Sequence, residues 1–368
     1  MRGARRPSSV RAARRADRWP GSRVAPAMVV GRVRPAVVPA AGGRRTHVKR
    51  PSWILFMRAA MATLVVLLSA HALSAQAQAQ PAPAVRRFAS PEEATNALVT
   101  AARGPDMAAL RAIFGPGNEG LLSSGDPVAD REQLHRFAAA YDAKHSLQPQ
   151  GTGRVWLVIG EDDWPLPIPI VERNGSWEFD TKAGADEIID RRIGRNELAA
   201  IRTCLAYVDA QHDFHKRMQE KTGTGFYADR LASTPGRQDG LYWPAREGEP
   251  ESPLGPLVTT AQAEGYPGVS VGGRRRPYQG YYFRILLAQG PDAPGGTKDY
   301  VQNGRMTGGF GLIAWPASYG VSGIMTFQVN QDGLVFQRDL GPDTGQIAAR
   351  MQRFDPDIGW ALIDLKDQ

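Results

Sequence analysis

GADEIIDRRIGRNELAAIRTCLAYVDAQHDFHKRMQEKTGTG, from Gly184 to Gly225, is the longest uninterrupted helical pattern in the chain. Leu198, Ile201, Leu205 and Val208 recur at steps of three and four residues, which places them on one helical face, and the glycines at 223 and 225 end the run. A chain of 368 residues exceeds one average domain of roughly 150. The helix is the natural divide. It separates an N-terminal α+β domain, residues 88–183, from a C-terminal one, residues 184–368.

The net charge of +8 suggests nucleic acid or an anionic membrane as partner until it is divided along the chain. Residues 1–58 hold 15 Lys and Arg against the single acid Asp17, leaving 30 basic against 36 acidic residues in the rest. That remainder carries −6, so the argument for nucleic acid disappears. Residues 1–56 are Arg, Ala, Pro and Gly with few large apolar side chains, a composition expected to be disordered and to lie upstream of the true start. Residues 57–80 read as a signal peptide: Met57 and Arg58, the apolar run AAMATLVVLLSAHAL, then small residues at 74–77. The mature protein is therefore expected to be soluble, periplasmic or secreted, with no stable membrane span after cleavage. Cys204, the one cysteine, allows no internal disulfide.

In the first domain, Ser90-Pro91-Glu93 predicts a capped helix start, with Ala94, Ala97, Leu98 and Ala101 as its buried stripe. A second helix holds Met107, Leu110, Ile113 and Phe114, and a third begins near Asp130 with Leu134, Phe137, Ala138 and Tyr141 on one face. Val155–Ile159 is a buried strand. Leu166–Val171 pairs with Ser176–Thr181 across Asn174-Gly175, setting Ile170 opposite Phe179. Pro165, Pro167 and Pro169 predict that this strand is a sheet edge. The result is N-terminal helices with a curved antiparallel sheet.

The second domain continues from the long helix into turns, Leu231–Arg276. Tyr281, Phe283, Ile285 and Leu287 then alternate with Tyr282 and Arg284 as a strand does. Phe310–Trp315 is a second strand. Met325, Phe327 and Val329 lead through Asp332-Gly333 into Leu334, Phe336 and Arg338, with Val329 facing Phe336, and a helix follows from about Thr344 to Arg353. The architecture is α+β, one long helix packed on a small antiparallel sheet.

The strings NELAAIRTCLAYVDAQHDFH, GTGFYADRL, GYYFRILLA and FQVNQDGLVFQRDLG resemble the globular part of type IV pilins and pseudopilins. Here Asp186, Glu187, Asp190, Arg191 and Arg192 occupy the place of the apolar segment that pilins carry. With FDTKAGADEIIDRRIGRNE before and DTGQIAARMQRFDPDIGW after, the chain from about Phe88 to Asp364 resembles the secreted bacterial family catalogued as domain of unknown function 2950. That resemblance implies export and a two-part layout, and it brings no catalytic residues.

Asp209, His212 and His215 lie at three-residue steps near the end of the long helix, a spacing that lets two imidazoles and a carboxylate share one side as a metal site asks. The plainer reading is a solvated face. Arg274, Arg275 and Arg276 followed by Tyr278, Tyr281 and Tyr282 are a basic aromatic patch suited to an anionic ligand, or else a loop entering a strand whose tyrosines pack inward. Gly268-Val269-Ser270-Val271-Gly272 has nucleophile-elbow spacing, but Gly273-Arg274-Arg275-Arg276-Pro277 cannot begin the helix an elbow requires. Asp292, Asp299 and Asn303 are loop oxygens without the calcium-loop order. No cofactor fingerprint is evident. The expectation is a non-catalytic binding or accessory module for an envelope protein or polymer. The alternatives are a metal-dependent envelope hydrolase using His212, His215 and Asp209, and an accessory subunit of a pilus-like assembly.

Overall fold

The computed structural model describes residues 85–268 and 275–364. The stretches read as leader and signal peptide, Arg274 and the elbow sequence beyond Gly268 lie outside them. The first helices are α1 (Pro91–Arg103), α2 (Met107–Phe114), α3 (Glu119–Leu122) and α4 (Pro127–Ala143). Ser90 Oγ accepts from the Glu93 N–H at 3.2 Å while Glu93 Oε2 accepts from the Ala89 N–H at 2.9 Å, a reciprocal cap with Pro91 in the first turn. α4 starts ahead of the expected Asp130, because Asp126 caps it and Pro127 supplies its first helical position.

Strands β1 (His145–Pro149), β2 (Arg154–Ile159), β3 (Trp164–Pro165), β4 (Ile170–Arg173) and β5 (Ser176–Phe179) form an antiparallel sheet. Its order is β1-β2-β4-β5, with β3 also on β2. Ile170 pairs with Phe179 as expected, and Asn174 and Gly175 have the positive φ values, 55° and 73°, of a two-residue hairpin. The edge assignment fails. β4 is paired on both sides; the edges are β1 and β5, with β3 and its Pro165 bonded to β2 alone. Pro167 and Pro169 fall in the stretch between β3 and β4, where no ladder donor is needed. This sheet and α1 to α4 enclose one apolar cluster, centred on Leu98, Leu110, Ile113, Leu157, Ile168 and Phe179.

Helix α5 (Ala185–Thr222) runs 38 residues and ends on Gly223, which is left-handed at φ 73°. Its buried face follows Ala200, Ile201, Cys204, Tyr207, Val208 and Phe214, whereas Leu198 is 42% exposed and lies off that face. The turn-rich stretch contains a helix the sequence reading missed, α6 (Gly255–Ala263). Strand β6 (Tyr281–Leu286) is followed by two short ladders, β7 (Ala288–Gln289) on β8 (Lys298–Asp299) and β9 (Val301–Gln302) on β10 (Arg305–Met306). Strands β11 (Gly311–Pro316), β12 (Met325–Asn330) and β13 (Val335–Asp339), helix α7 (Thr344–Arg350) and β14 (Ala361–Leu362) complete the described chain.

The second sheet is antiparallel, in the order β14-β13-β12-β11-β6. α5 covers one face of it: Tyr207, Val208 and Phe214 share a cluster with Phe310, Phe327 and Val329. α7 and Phe354 cover the other, over Ile313 and Trp315. Arg284 reaches across to the end of α7, donating to the carbonyls of Ala348, Ala349 and Met351. Val329 pairs with Val335, not Phe336. The turn is longer than two residues, because Asn330 Oδ1 accepts from the N–H groups of Asp332 and Leu334. Phe336 is thereby turned to the far face, where it meets Phe354 at 5.8 Å.

Candidate functional site

A cleft of about 990 Å³ opens between α4 and the N-terminal half of α5. Its floor is apolar and reaches Leu98, Leu110 and Phe114 of the first core, with Leu134 and Phe137 on the α4 side and Ile188 on the α5 side. One end is closed by Leu257, Thr260 and Glu264 of the α6 region with Tyr278 and Gln279. The turn-rich segment thus contributes one wall.

Charge lies along α5. Arg191, Arg195 and Arg202 border the cleft together with Arg136 of α4, and the steps of four and seven residues explain why one helix side presents all three. Each guanidinium has a different degree of compensation. Arg191 is paired with Glu187 at 2.6 Å and lies over the Trp164 ring at 5.5 Å. Arg136 reaches Glu132 at 3.5 Å. Arg192 is 4% exposed and donates to the carbonyls of Gly120 at 2.7 Å and Leu121 at 2.6 Å, yet its Nε–H finds no acceptor within the described residues. Asp130 faces it, accepting from the Ser124 N–H through both oxygens at 3.1 and 3.0 Å; burial raises the carboxyl pKa against the opposing pull of those bonds and of Arg192.

Arg195 has no carboxylate partner among the described residues. Desolvation lowers its pKa first, and the like charges of Arg136 and Arg191 lower it further. A guanidinium stays protonated at neutral pH regardless, so this shift registers burial and like-charge repulsion rather than a titration. The arrangement concentrates positive potential at one point on the rim of an apolar cleft.

The residues singled out from sequence are dispersed. Asp209 and His212 are exposed on α5. His212 Nε2 lies 3.1 Å from the Gln331 carbonyl, and His215 packs on Tyr227 with ring centres 4.7 Å apart. Among the described residues no group of three or more His, Cys, Asp or Glu side chains is placed to hold a metal ion, and Asp292 and Asp299 form none either. The basic aromatic patch is divided by strand alternation. Tyr281 is fully buried towards α5 and donates to the Met325 carbonyl at 3.0 Å. Tyr282 turns to the other face beside Trp315, over which the guanidiniums of Arg275 and Arg284 lie at 5.5 and 5.8 Å. Arg276 is exposed, and Tyr278 lines the cleft, edge-on to Tyr266. Cys204 is completely buried, and burial pushes its thiol pKa up to about 12.

The arginine face of α5 is the signal the sequence reading passed over. Ile188, Arg191, Arg195, Leu198 and Arg202 have helical spacing as regular as the stripe that packs on the sheet, but a charged stripe reads by default as a solvated face.

No curated protein and no solved structure matches the chain, so the pilin-like resemblance of the C-terminal half gains no counterpart. Residues 85–363, which include both sheets, α5 and the cleft, match the model of the family described as protein of unknown function, DUF2950. A match over most of the chain, α+β throughout, means that the protein belongs to the DUF2950 family.

Proposed function

We propose that the protein is exported through the segment 57–80 and acts in the bacterial envelope as a binding module, with the cleft between α4 and α5 as its ligand seat. The observation that carries this reading is Arg195: a guanidinium without a carboxylate partner among the described residues, flanked by two more, at the rim of a large concavity. Such a group is furnished to hold an anion. Arginines do not exchange protons near neutral pH, and carboxylates beside them are already engaged: Asp130 by Ser124, Glu187 by Arg191 and Glu132 by Arg136. Binding suits this set of groups better than acid–base catalysis. The expectation of an envelope protein or polymer as partner narrows here to an anionic envelope component.

The test is titration of the purified protein with anilinonaphthalene sulfonate, an anionic dye with an apolar ring system, against the R195A/R136A double variant. A charge-assisted contact is worth about 1.5–3 kcal/mol, so the variant should bind at least roughly tenfold more weakly. Equal affinity, with near-ultraviolet circular dichroism showing both proteins folded, would refute the seat. Export is checked separately: the protein recovered from a bacterial periplasm should begin just after Ala77.

A further inference from the structure

We infer, building on the cleft as an anion seat, that its ligand is a single-chain anionic amphiphile, an acyl or alkyl chain ending in a carboxylate or a phosphate. The cleft separates its two kinds of surface. The floor is made by the half-buried Leu122, Leu134, Phe137 and Ile188, which lie over the buried Leu98 and Leu110 of the apolar cluster that stabilises the first sheet. The guanidiniums of Arg136, Arg191 and Arg195 belong to the rim, where their residues are largely exposed. A compact hydrophilic anion would satisfy the rim and leave the floor facing water. An uncharged hydrocarbon would cover the floor and leave Arg195 with only like charges near it.

An amphiphile meets both demands at once. Close-packed interiors leave few large apolar voids, and those lined by Leu and Phe take up apolar guests in preference to water. A volume of about 990 Å³ is at the upper end of small-molecule pockets, enough for a chain with its head group. A peptide fits less well, because its backbone amides and carbonyls would be buried against a floor that offers them few partners. Leu198 extends the apolar surface along α5 between Arg195 and Arg202 and is 42% exposed, so the chain has a surface to follow beyond the head-group seat.

The experiment uses calorimetric titration of the mature protein with four probes, each below its micelle concentration: dodecanoate, dodecyl phosphate, dodecanol and inorganic phosphate. Both anionic amphiphiles should bind at least tenfold more tightly than dodecanol or inorganic phosphate, and their ratio tells whether the seat prefers a carboxylate or a phosphate head. R195A should weaken the two amphiphiles at least tenfold and leave dodecanol unchanged. L198N, at an exposed position, should weaken the amphiphiles and leave inorganic phosphate unchanged. Dodecanol binding as tightly as dodecanoate would overturn the inference. Inorganic phosphate binding as tightly as dodecyl phosphate would also overturn it, while preserving the anion seat; failure of the sulfonate dye as well would remove both.

Discussion

The D126N substitution tests whether one carboxylate joins the N-terminal helices to the second half of the chain. Asp126 is 1% exposed and accepts four hydrogen bonds. Oδ1 takes the N–H groups of Val128 and Ala129, both at 3.2 Å, as the cap of α4. Oδ2 takes the Tyr266 hydroxyl at 2.8 Å and the Gly280 N–H at 2.9 Å. An asparagine keeps only one acceptor oxygen, so its NH2 must oppose one of the two donor pairs. If it opposes the cap, about 1 kcal/mol of capping is lost and two donors are left poorly paired. If it opposes the other pair, the Tyr266 hydroxyl can rotate but the Gly280 N–H is orphaned, at about 1–3 kcal/mol.

Gly280 cannot move away to compensate. Its φ of +77° is a glycine conformation, and the position of its absent Cβ is 2.4 Å from Asn196 Nδ2. The expected loss is therefore about 1–3 kcal/mol in urea unfolding, with a fall in melting temperature of roughly 2–5 °C for a chain of this size. Y266F supplies the cycle, since its ring remains and only the hydroxyl is removed. The two substitutions should be non-additive by at least about 0.5 kcal/mol. A D126N protein within about 0.5 kcal/mol of wild type, or strict additivity with Y266F, would refute the joint.

Cys204 should resist a thiol reagent at pH 8 in the native protein and react at once in urea, because it is completely buried with a pKa near 12. The same shift has a pH consequence: the unfolded thiol ionises near 8.5 while the folded one holds its proton, so its contribution is complete below about pH 8 and is lost by up to about 1.4 kcal/mol per pH unit above that value. C204A should accordingly show a shallower fall in stability between pH 9 and 10, and an unchanged slope would count against the burial. G184A should cost about 1–3 kcal/mol or prevent folding, since an added Cβ would stand 2.0 Å from the Pro167 carbonyl oxygen at the entry to α5; a melting temperature equal to wild type would contradict that packing.

The elements with local signals were legible in the sequence. The Ser90 cap, the Asn174-Gly175 hairpin and the Gly223 stop each depend on a few neighbouring residues, and each is in place. The errors arose where distant partners decide. The proline stretch resembled an edge because nothing local reveals that β2 claims one side of β4 and β5 the other. Val329 was offset by one partner because the side chain of Asn330 lengthens the turn. The basic aromatic patch groups Tyr281 with Tyr282 although their own strand alternation already sets them on opposite faces, where the structure has them. The cleft was least legible of all, since it is assembled from α1, α2, α4, α5 and the region of Tyr278, and only its α5 wall has a contiguous pattern.

The length of α5 accounts for where the cleft opens. At 1.5 Å per residue, 38 residues extend about 57 Å, more than one small sheet can cover. Ile188 packs against the N-terminal cluster, and the run from Ala200 to Met218 packs against the second sheet. The intervening turns are anchored on one side only, by Arg192 to the α3 carbonyls, by Asn196 to the Ser322 carbonyl and by Glu197 to the N–H groups of Ile324 and Met325. Their opposite side carries Arg191, Arg195 and Leu198, which neither core covers. A helix needed only to connect two cores would bear small or mixed polar residues there. Arg191 and Arg195 beside an exposed leucine, with Arg202 a further turn along and an apolar floor below, match the proposed ligand with a charged end and a hydrocarbon body.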